Sequence, residues 1–208
     1  MSKKIIAIIL VVVGLLAVAV GVFLVFNKDS DTKNEDATKQ RGGSTMNKDD
    51  KAIVVYFSAQ NHTRNVATKI AANVGADIFE IEAVQAYTED DLSWTDSESR
   101  VSRERNDESL QTIELKNTTI PNWDEYKTVY IGYPIWWGGS AWPVDSFVKK
   151  VDFGDKIVIP FCTSHSSGLG TSDTDLKAKA TGGNWQPGHR FSQDATDAEI
   201  KTWTDSLL

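Results

Sequence analysis

Two short segments of this chain concentrate hydroxyl, amide and imidazole side chains, and a third carries adjacent indoles. Ser58, Gln60, Asn61, His62 and Thr63 follow an apolar run at 53–57. Pro134, Ile135, Trp136, Trp137 and Gly138 follow a second run at 129–133. Thr163, Ser164, His165, Ser166, Ser167 and Gly168 follow a third at 157–161, with Cys162 at the root. A strand that runs straight into a helix start offers unpaired backbone N–H groups and the positive end of a helix dipole. Ser58 and Thr63 add hydroxyl donors and Gln60, Asn61 and His62 add side-chain donors, so a phosphate can be held there without a lysine. An outward indole at a ligand edge is a flat stacking surface. Neighbouring side chains of extended backbone point to opposite faces, so one of Trp136 and Trp137 is expected to pack inward and the other outward. The Ser/Gly segment can line a polar ring edge with backbone N–H and C=O groups. The combination suits one planar, phosphorylated ligand.

Plainer readings compete at each segment. Turn and helix-capping chemistry explains Ser58, Asn61 and Thr63 by itself, and a core or protein-contact patch explains both indoles. The Gly-x-x-x-x-Gly-Lys loop and the dinucleotide glycine spacing are both absent. Cys162 and His165 lack an oxyanion motif, and a lone buried cysteine behaves as a small apolar residue. His62 and His165 have no carboxylate motif beside them, and no Cys/His cluster has zinc-site spacing. No catalytic residue and no metal ligand is therefore assigned. With a single cysteine the chain forms no intramolecular disulfide.

The elements that must position these segments alternate strand and helix from residue 51 onward, which predicts a parallel sheet covered on both faces. Ligands bind such sheets at the carboxyl ends of the strands, where segments remote in sequence become neighbours. Val66, Ala67, Ile70, Ala71 and Val74 have helical spacing over 63–74, and Gly75 is a natural stop. Residues 77–82 alternate apolar and acidic, as an edge strand does. Helices are expected over 143–151, over 172–180 with Ser172 as N-cap, and over 196–207 with Ile200, Trp203 and Leu207 inward. A strand at 156–161 and a short fifth strand near Arg190 and Phe191 complete the sheet. The stretch 84–126 is the least readable; 97–110 is charged enough for an exposed helix, and 118–123, with Pro121, reads as a loop.

Three parts are expected: a membrane anchor or signal at 1–26, a polar tether at 27–50, and a folded domain at 51–208. Lys3 and Lys4 precede an uncharged run from Ile5 to Phe26, which as a helix reaches roughly 33 Å, enough for a hydrocarbon core of about 30 Å. The run exceeds a secretory apolar region and lacks a small-residue cleavage site, so an uncleaved single-pass anchor is the main reading and a cleaved signal peptide the alternative. The short basic tail before it favours export of the domain beyond a bacterial cell membrane, although Lys28, Lys33, Lys39 and Arg41 oppose that. Residues 27–50 are too polar to offset ordering entropy by burial. The first 50 residues hold 7 Lys/Arg and 6 Asp/Glu of the chain's 22 and 29, so the rest carries a net charge of −8. Acidity of that kind excludes nucleic acid as a partner, since phosphate backbones are met by basic surface.

Read together, Tyr56-Phe57-Ser58 through Thr63, Gly132-Tyr133-Pro134-Ile135-Trp136-Trp137-Gly138, and Pro160-Phe161-Cys162-Thr163-Ser164 through Gly170 resemble the flavodoxin family. The likeness is to its bacterial flavodoxin-like branch with the Tyr-Pro-Ile-Trp-Trp motif, and it spans residues 52–207. It implies a three-layer α/β sandwich with a five-stranded parallel sheet in order 2-1-3-4-5 and non-covalent FMN at its carboxyl edge. Ser58, Gln60, Asn61, His62 and Thr63 would then hold the phosphate. Pro134, Ile135, Trp136, Trp137 and Gly138 would border the isoalloxazine ring, and Thr163, Ser164, His165, Ser166, Ser167 and Gly168 its pyrimidine side. Gln60 and Asn61 stand where Thr and Gly are common, which bears on phosphate affinity; Asn tolerates the left-handed backbone that Gly would supply. The function implied is membrane-tethered electron transfer with a redox partner protein or a small-molecule acceptor. An FMN-dependent NAD(P)H:quinone-type oxidoreductase and a flavin-free interaction module on the same frame are the alternatives.

Overall fold

The computed structural model describes residues 50–207. The expected anchor at 1–26 and nearly all of the tether lie outside them. Among the described residues no helix is long and apolar enough to cross a membrane.

Strand β1 (Ala52–Tyr56) shows why the sheet is covered on both faces. Its neighbours Val54 and Val55 point to opposite sides, and both are fully buried. Val54 joins Tyr130 and Ile159 in one apolar cluster with Val66, Ala67 and Ile70 of α1 (His62–Val74) and Ile200 of α5 (Asp197–Asp205). Val55 joins Val129 and Ile131 in the other. That second cluster takes in Val144, Phe147 and Val148 of α3 (Trp142–Val148), Leu176 of α4 (Ser172–Lys179) and Val101 of α2 (Arg100–Asn106).

Among the described residues the sheet has seven strands rather than five. Its path runs β2 (Asp77–Glu80), β1, β3 (Thr128–Trp136), β5 (Ile157–Ser164), β6 (Asn184–Trp185), and β4 (Gly139–Ser140) and β7 (His189–Ser192) lie off it. The expected order 2-1-3-4-5 is corrected in two places. The edge beside β5 is split: β6 pairs with Ile157 and Val158, and β7 with residues 161–164, both parallel. Pro187 between them has no N–H for a ladder, and the N–H of Gly188 is taken by the Asp173 carboxylate at 2.8 Å. The other change is β4, which folds back antiparallel on the end of β3. Trp137 and Gly138 at its turn have φ of 47° and 84°, and positive φ at both central residues is what a two-residue hairpin of this twist needs.

Smaller corrections follow from local chemistry. The N-cap position of α4 is Thr171, not Ser172, and its side chain makes no capping hydrogen bond. Ser172 is fully buried; its hydroxyl donates to the Leu169 carbonyl at 2.8 Å and lies 3.2 Å from the Tyr133 hydroxyl. Helix α3 starts at Trp142 and ends at Val148. The charged stretch 97–110 is a short helix, α2, followed by a 3-10 turn (Glu108–Gln111), and it is not wholly exposed, since Val101, Ser102 and Glu104 are buried. Helix α5 opens with a capping box in which Thr196 and Glu199 satisfy each other's backbone N–H groups.

Candidate functional site

The carboxyl ends of β1, β3 and β5 enclose a cavity of about 590 Å³. From the first loop Ser58, Gln60, His62 and Thr63 line it. Ser58 Oγ is buried with no hydrogen-bond partner among the described residues, and a polar atom in that position calls for a ligand. The Thr63 and Thr163 hydroxyls lie 2.8 Å apart and join the first and third loops. Helix α1 begins at this point, so its first-turn N–H groups have no partners within the helix. Asn61 does not line the cavity. It holds the left-handed turn into α1 at φ 66°, and its side chain accepts from Arg64 Nη1. Arg64 also pairs with Glu80 at 2.5 Å.

In the second loop Pro134, Ile135, Trp136 and Trp137 line the cavity and Gly138 does not. The two indoles diverge as expected. Trp136 packs edge-on against Phe57, Tyr87 and Trp142 with centroids 5.8, 5.1 and 5.1 Å away. Trp137 is 42% exposed and stacked on Trp142, 5.8 Å away and inclined by 23°. The divergence comes less from strand alternation than from the hairpin turn, where Trp137 takes a left-handed backbone that costs about 1–2 kcal/mol. Strain of this kind persists where surrounding contacts over-determine it, and it gathers at functional sites.

Thr163, Ser164, His165, Ser166 and Ser167 line the cavity from the third loop, and Gly168 does not. Cys162 is fully buried and burial pushes its thiol up to about 12, so it is no nucleophile. Arg190, on β7, braces this loop from outside: Nε donates to Ser164 Oγ at 2.9 Å, and Nη2 to the Ser164 and His165 carbonyls at 2.8 and 3.2 Å.

Sequence reasoning missed part of the wall. Leu92, Trp94 and Val101, from the connection between β2 and β3, line the cavity together with Ala59 and Gln193. Trp94 is 71% exposed. An indole in an otherwise polar stretch was the available signal. Tyr87 in the same connection backs Trp136; its hydroxyl donates to Glu104 at 2.8 Å and burial drives its pKa upward. No Asp, Glu, Lys or Arg is among the lining residues. The described residues hold no cluster of His, Cys, Asp and Glu that could bind a metal ion.

Comparison with known proteins places this geometry. A sequence model of the family described as Flavodoxin matches residues 51–207. A putative flavoprotein from Bacteroides eggerthii is 36% identical, covering 76% of this chain and 97% of its own, with a TM-score of 0.67. A putative flavoprotein from Bacteroides uniformis is 35% identical, covering 74% and 97%, with a TM-score of 0.69. A flavoprotein from Lactobacillus acidophilus, solved in complex with FMN, shares the fold at 19% identity, covering 74% and 99%, with a TM-score of 0.57. No curated protein matches the chain.

Proposed function

Since this chain belongs to the flavodoxin family, we propose that it is an FMN protein that moves electrons between a donor and an acceptor beside a bacterial membrane. The observation that carries the reading is Ser58, which lines a cavity shared by all three strand-tip loops and whose Oγ is buried without a partner among the described residues. A phosphate oxygen is the acceptor such a hydroxyl lacks. The residues present fit the group: Ser58, Gln60, His62 and Thr63 with the first-turn N–H groups of α1 would hold its phosphate. Trp136 and Trp137 would border its ring, and residues 163–167 the polar ring edge. FMN, when bound, supplies one- and two-electron redox chemistry that no side chain offers.

The chain's own residues bind, orient and exclude water. The Thr63–Thr163 contact fixes the distance between the phosphate loop and the ring-edge loop. Trp136, wedged among Phe57, Tyr87 and Trp142, gives the ring a wall that cannot swing away. The uncharged lining leaves phosphate binding to hydroxyls and peptide N–H groups, whose strength grows where water is excluded. The N-terminal apolar run would tether the domain to the membrane, with the domain on the far side from the cytoplasm, and residues 27–50 would let it reach its partner.

The test is the colour of the protein. The purified full chain in mild detergent is expected to show flavin absorption, or to quench the fluorescence of added FMN with one site per chain. A colourless chain that leaves FMN fluorescence unchanged sinks the reading and makes the flavin-free interaction module the better one. Dithionite then reduces the bound flavin, and turnover with NADH or NADPH alone would move the assignment to an FMN-dependent oxidoreductase.

A further inference from the structure

The geometry points to Arg190 as a positioning residue that turns the peptide N–H groups of His165 and Ser166 toward the cavity, where they receive an electron-rich carbonyl edge of the bound ring. The inference rests on the flavin reading above and adds the device that sets the ring's reduction potential.

Arg190 sits opposite Cys162 in the β5–β7 pairing, just before β5 ends at Ser164. Its Nη2 reaches two consecutive carbonyls, those of Ser164 and His165, at 2.8 and 3.2 Å. Carbonyls alternate sides along an extended strand, so both can meet one nitrogen only because the chain turns as it leaves β5. Nε holds that turn through Ser164 Oγ at 2.9 Å, and the same hydroxyl donates to the Ser167 carbonyl.

The described residues contain no cis peptide bond. In a trans peptide the C=O and the following N–H point in opposite directions. Carbonyls 164 and 165 aimed at Arg190 therefore send the N–H groups of His165 and Ser166 the other way. Arg190 is not on the cavity wall, whereas Ser164, His165, Ser166 and Ser167 are. The two N–H groups therefore point away from the guanidinium, in a loop whose residues line the cavity. Neither N–H donates to another group among the described residues. Two successive N–H groups on one side form an anion-accepting concavity.

Reduction moves electron density onto the ring, and pre-aimed donors favour the state with more of it. The permanent charge of Arg190 polarises both peptides through its hydrogen bonds. Among the described residues no carboxylate lines the cavity to oppose the effect. Only a planar fork reaches Ser164 Oγ and both carbonyls together; an ammonium group on a flexible stem keeps the charge and loses the geometry.

Two measurements on the full chain in mild detergent test the inference. In the first, isotope-labelled flavin-free wild-type protein is titrated with oxidised FMN and backbone amide resonances are followed. The His165 and Ser166 amides are expected to shift along with those of Gln60 and Thr63. If Gln60 and Thr63 respond while His165 and Ser166 stay still, this inference falls and the flavin reading stands. If no amide responds, both fall. In the second, midpoint potentials of the FMN-loaded protein are compared for wild type, Arg190→Gln and Arg190→Lys. Both variants are expected to lose about tenfold in preference for reduced over oxidised flavin, a two-electron midpoint lower by about 30 mV. Unchanged potentials, or full restoration by Arg190→Lys, would overturn it. The amide titration needs no variant, so it can overturn the inference even where a substitution prevents folding.

Discussion

Ser58, Thr63 and Thr163 stand at the tips of strands, while Leu92, Trp94 and Val101 on the same cavity belong to the connection between β2 and β3. The strand tips are carried by side chains with almost no exposure, Val54, Val55, Ile131, Val158 and Phe161 among them. Burial of that kind is non-directional and spread over many residues. The connection contributes fewer for its length, Ile81, Val101, Ile113 and Ile120 among them, and is tied besides by named polar partners. The Thr88 N–H donates to the Asp91 carboxylate at 2.9 Å and the Asp91 N–H to Thr88 Oγ at 3.1 Å. The bond from the Thr88 N–H, above all, holds the Asp91 carboxyl below its usual range. Arg100 pairs with buried Glu104 at 2.7 Å, lies 3.8 Å over the Tyr87 ring, and donates to the Gln85 carbonyl. One wall of the site therefore rests on the whole sheet, and the other on a smaller apolar seam joined by polar contacts that single substitutions can remove.

The largest effect is expected where the sheet has no slack. A Cβ on Gly132 would meet the Phe161 ring at 2.2 Å. Phe161 is fully buried and packed by Phe191 and Trp203, so its ring cannot move aside. Gly132→Ala should cost about 3 kcal/mol, a fall in Tm of roughly 6–12 °C for a domain of this size. Hydrogen exchange should quicken across all the central strands together. A thermal melt unchanged from wild type would contradict the view that the sheet acts as one unit.

Glu104→Gln tests the other wall and should have a smaller, local effect. It leaves the half-buried Arg100 beside a neutral partner, at a cost of about 2 kcal/mol, because the amide still accepts from Tyr87. Exchange should quicken over 85–111 and not over 53–57, and the near-ultraviolet dichroism from the Tyr87–Trp136 contact should change. Uniform loss of protection throughout the domain would erase the distinction between the walls.

The same contrast explains what the sequence made legible. Val66, Ala67, Ile70 and Ala71 mark α1 by spacing alone, because one face of a helix against a sheet imposes that period. The chemistry at the strand tips was legible for a related reason: a parallel sheet puts all its carboxyl ends on one edge, so three remote loops could be placed together before any contact was known. Asn61 could be read as a left-handed residue, and its φ of 66° agrees. Trp94 and Tyr87 could not be placed, because Thr88–Asp91 and Arg100–Glu104 contacts leave no periodic trace. Arg190 was hidden differently. It lies next to Phe191 in what was expected as a short fifth strand, and its role depends on the carbonyl directions of a loop 26 residues earlier.

On the strand-borne side a histidine packed among aromatic rings offers the finest test of the comparison. His189 on β7 stacks on Trp203 at 5.3 Å and 23° and meets Phe191 at 4.6 Å. Burial lowers its pKa, so the folded protein resists protonating it. The unfolded chain takes up that proton near the ordinary value of about 6.5. Above that value both states are neutral and the stability is fully present. As pH falls through it toward the lower folded value, the unfolded state gains a proton that the folded state refuses, and stability declines. Carboxylates such as Asp91 remain charged throughout this window, so the connection is untouched there. Tm should therefore fall between about pH 7.5 and pH 5.5, with faster exchange over β5 and β7 and not over 85–111. His189→Phe, which keeps the ring contacts, should flatten that slope; an equally steep slope in the variant would place the titrating group elsewhere.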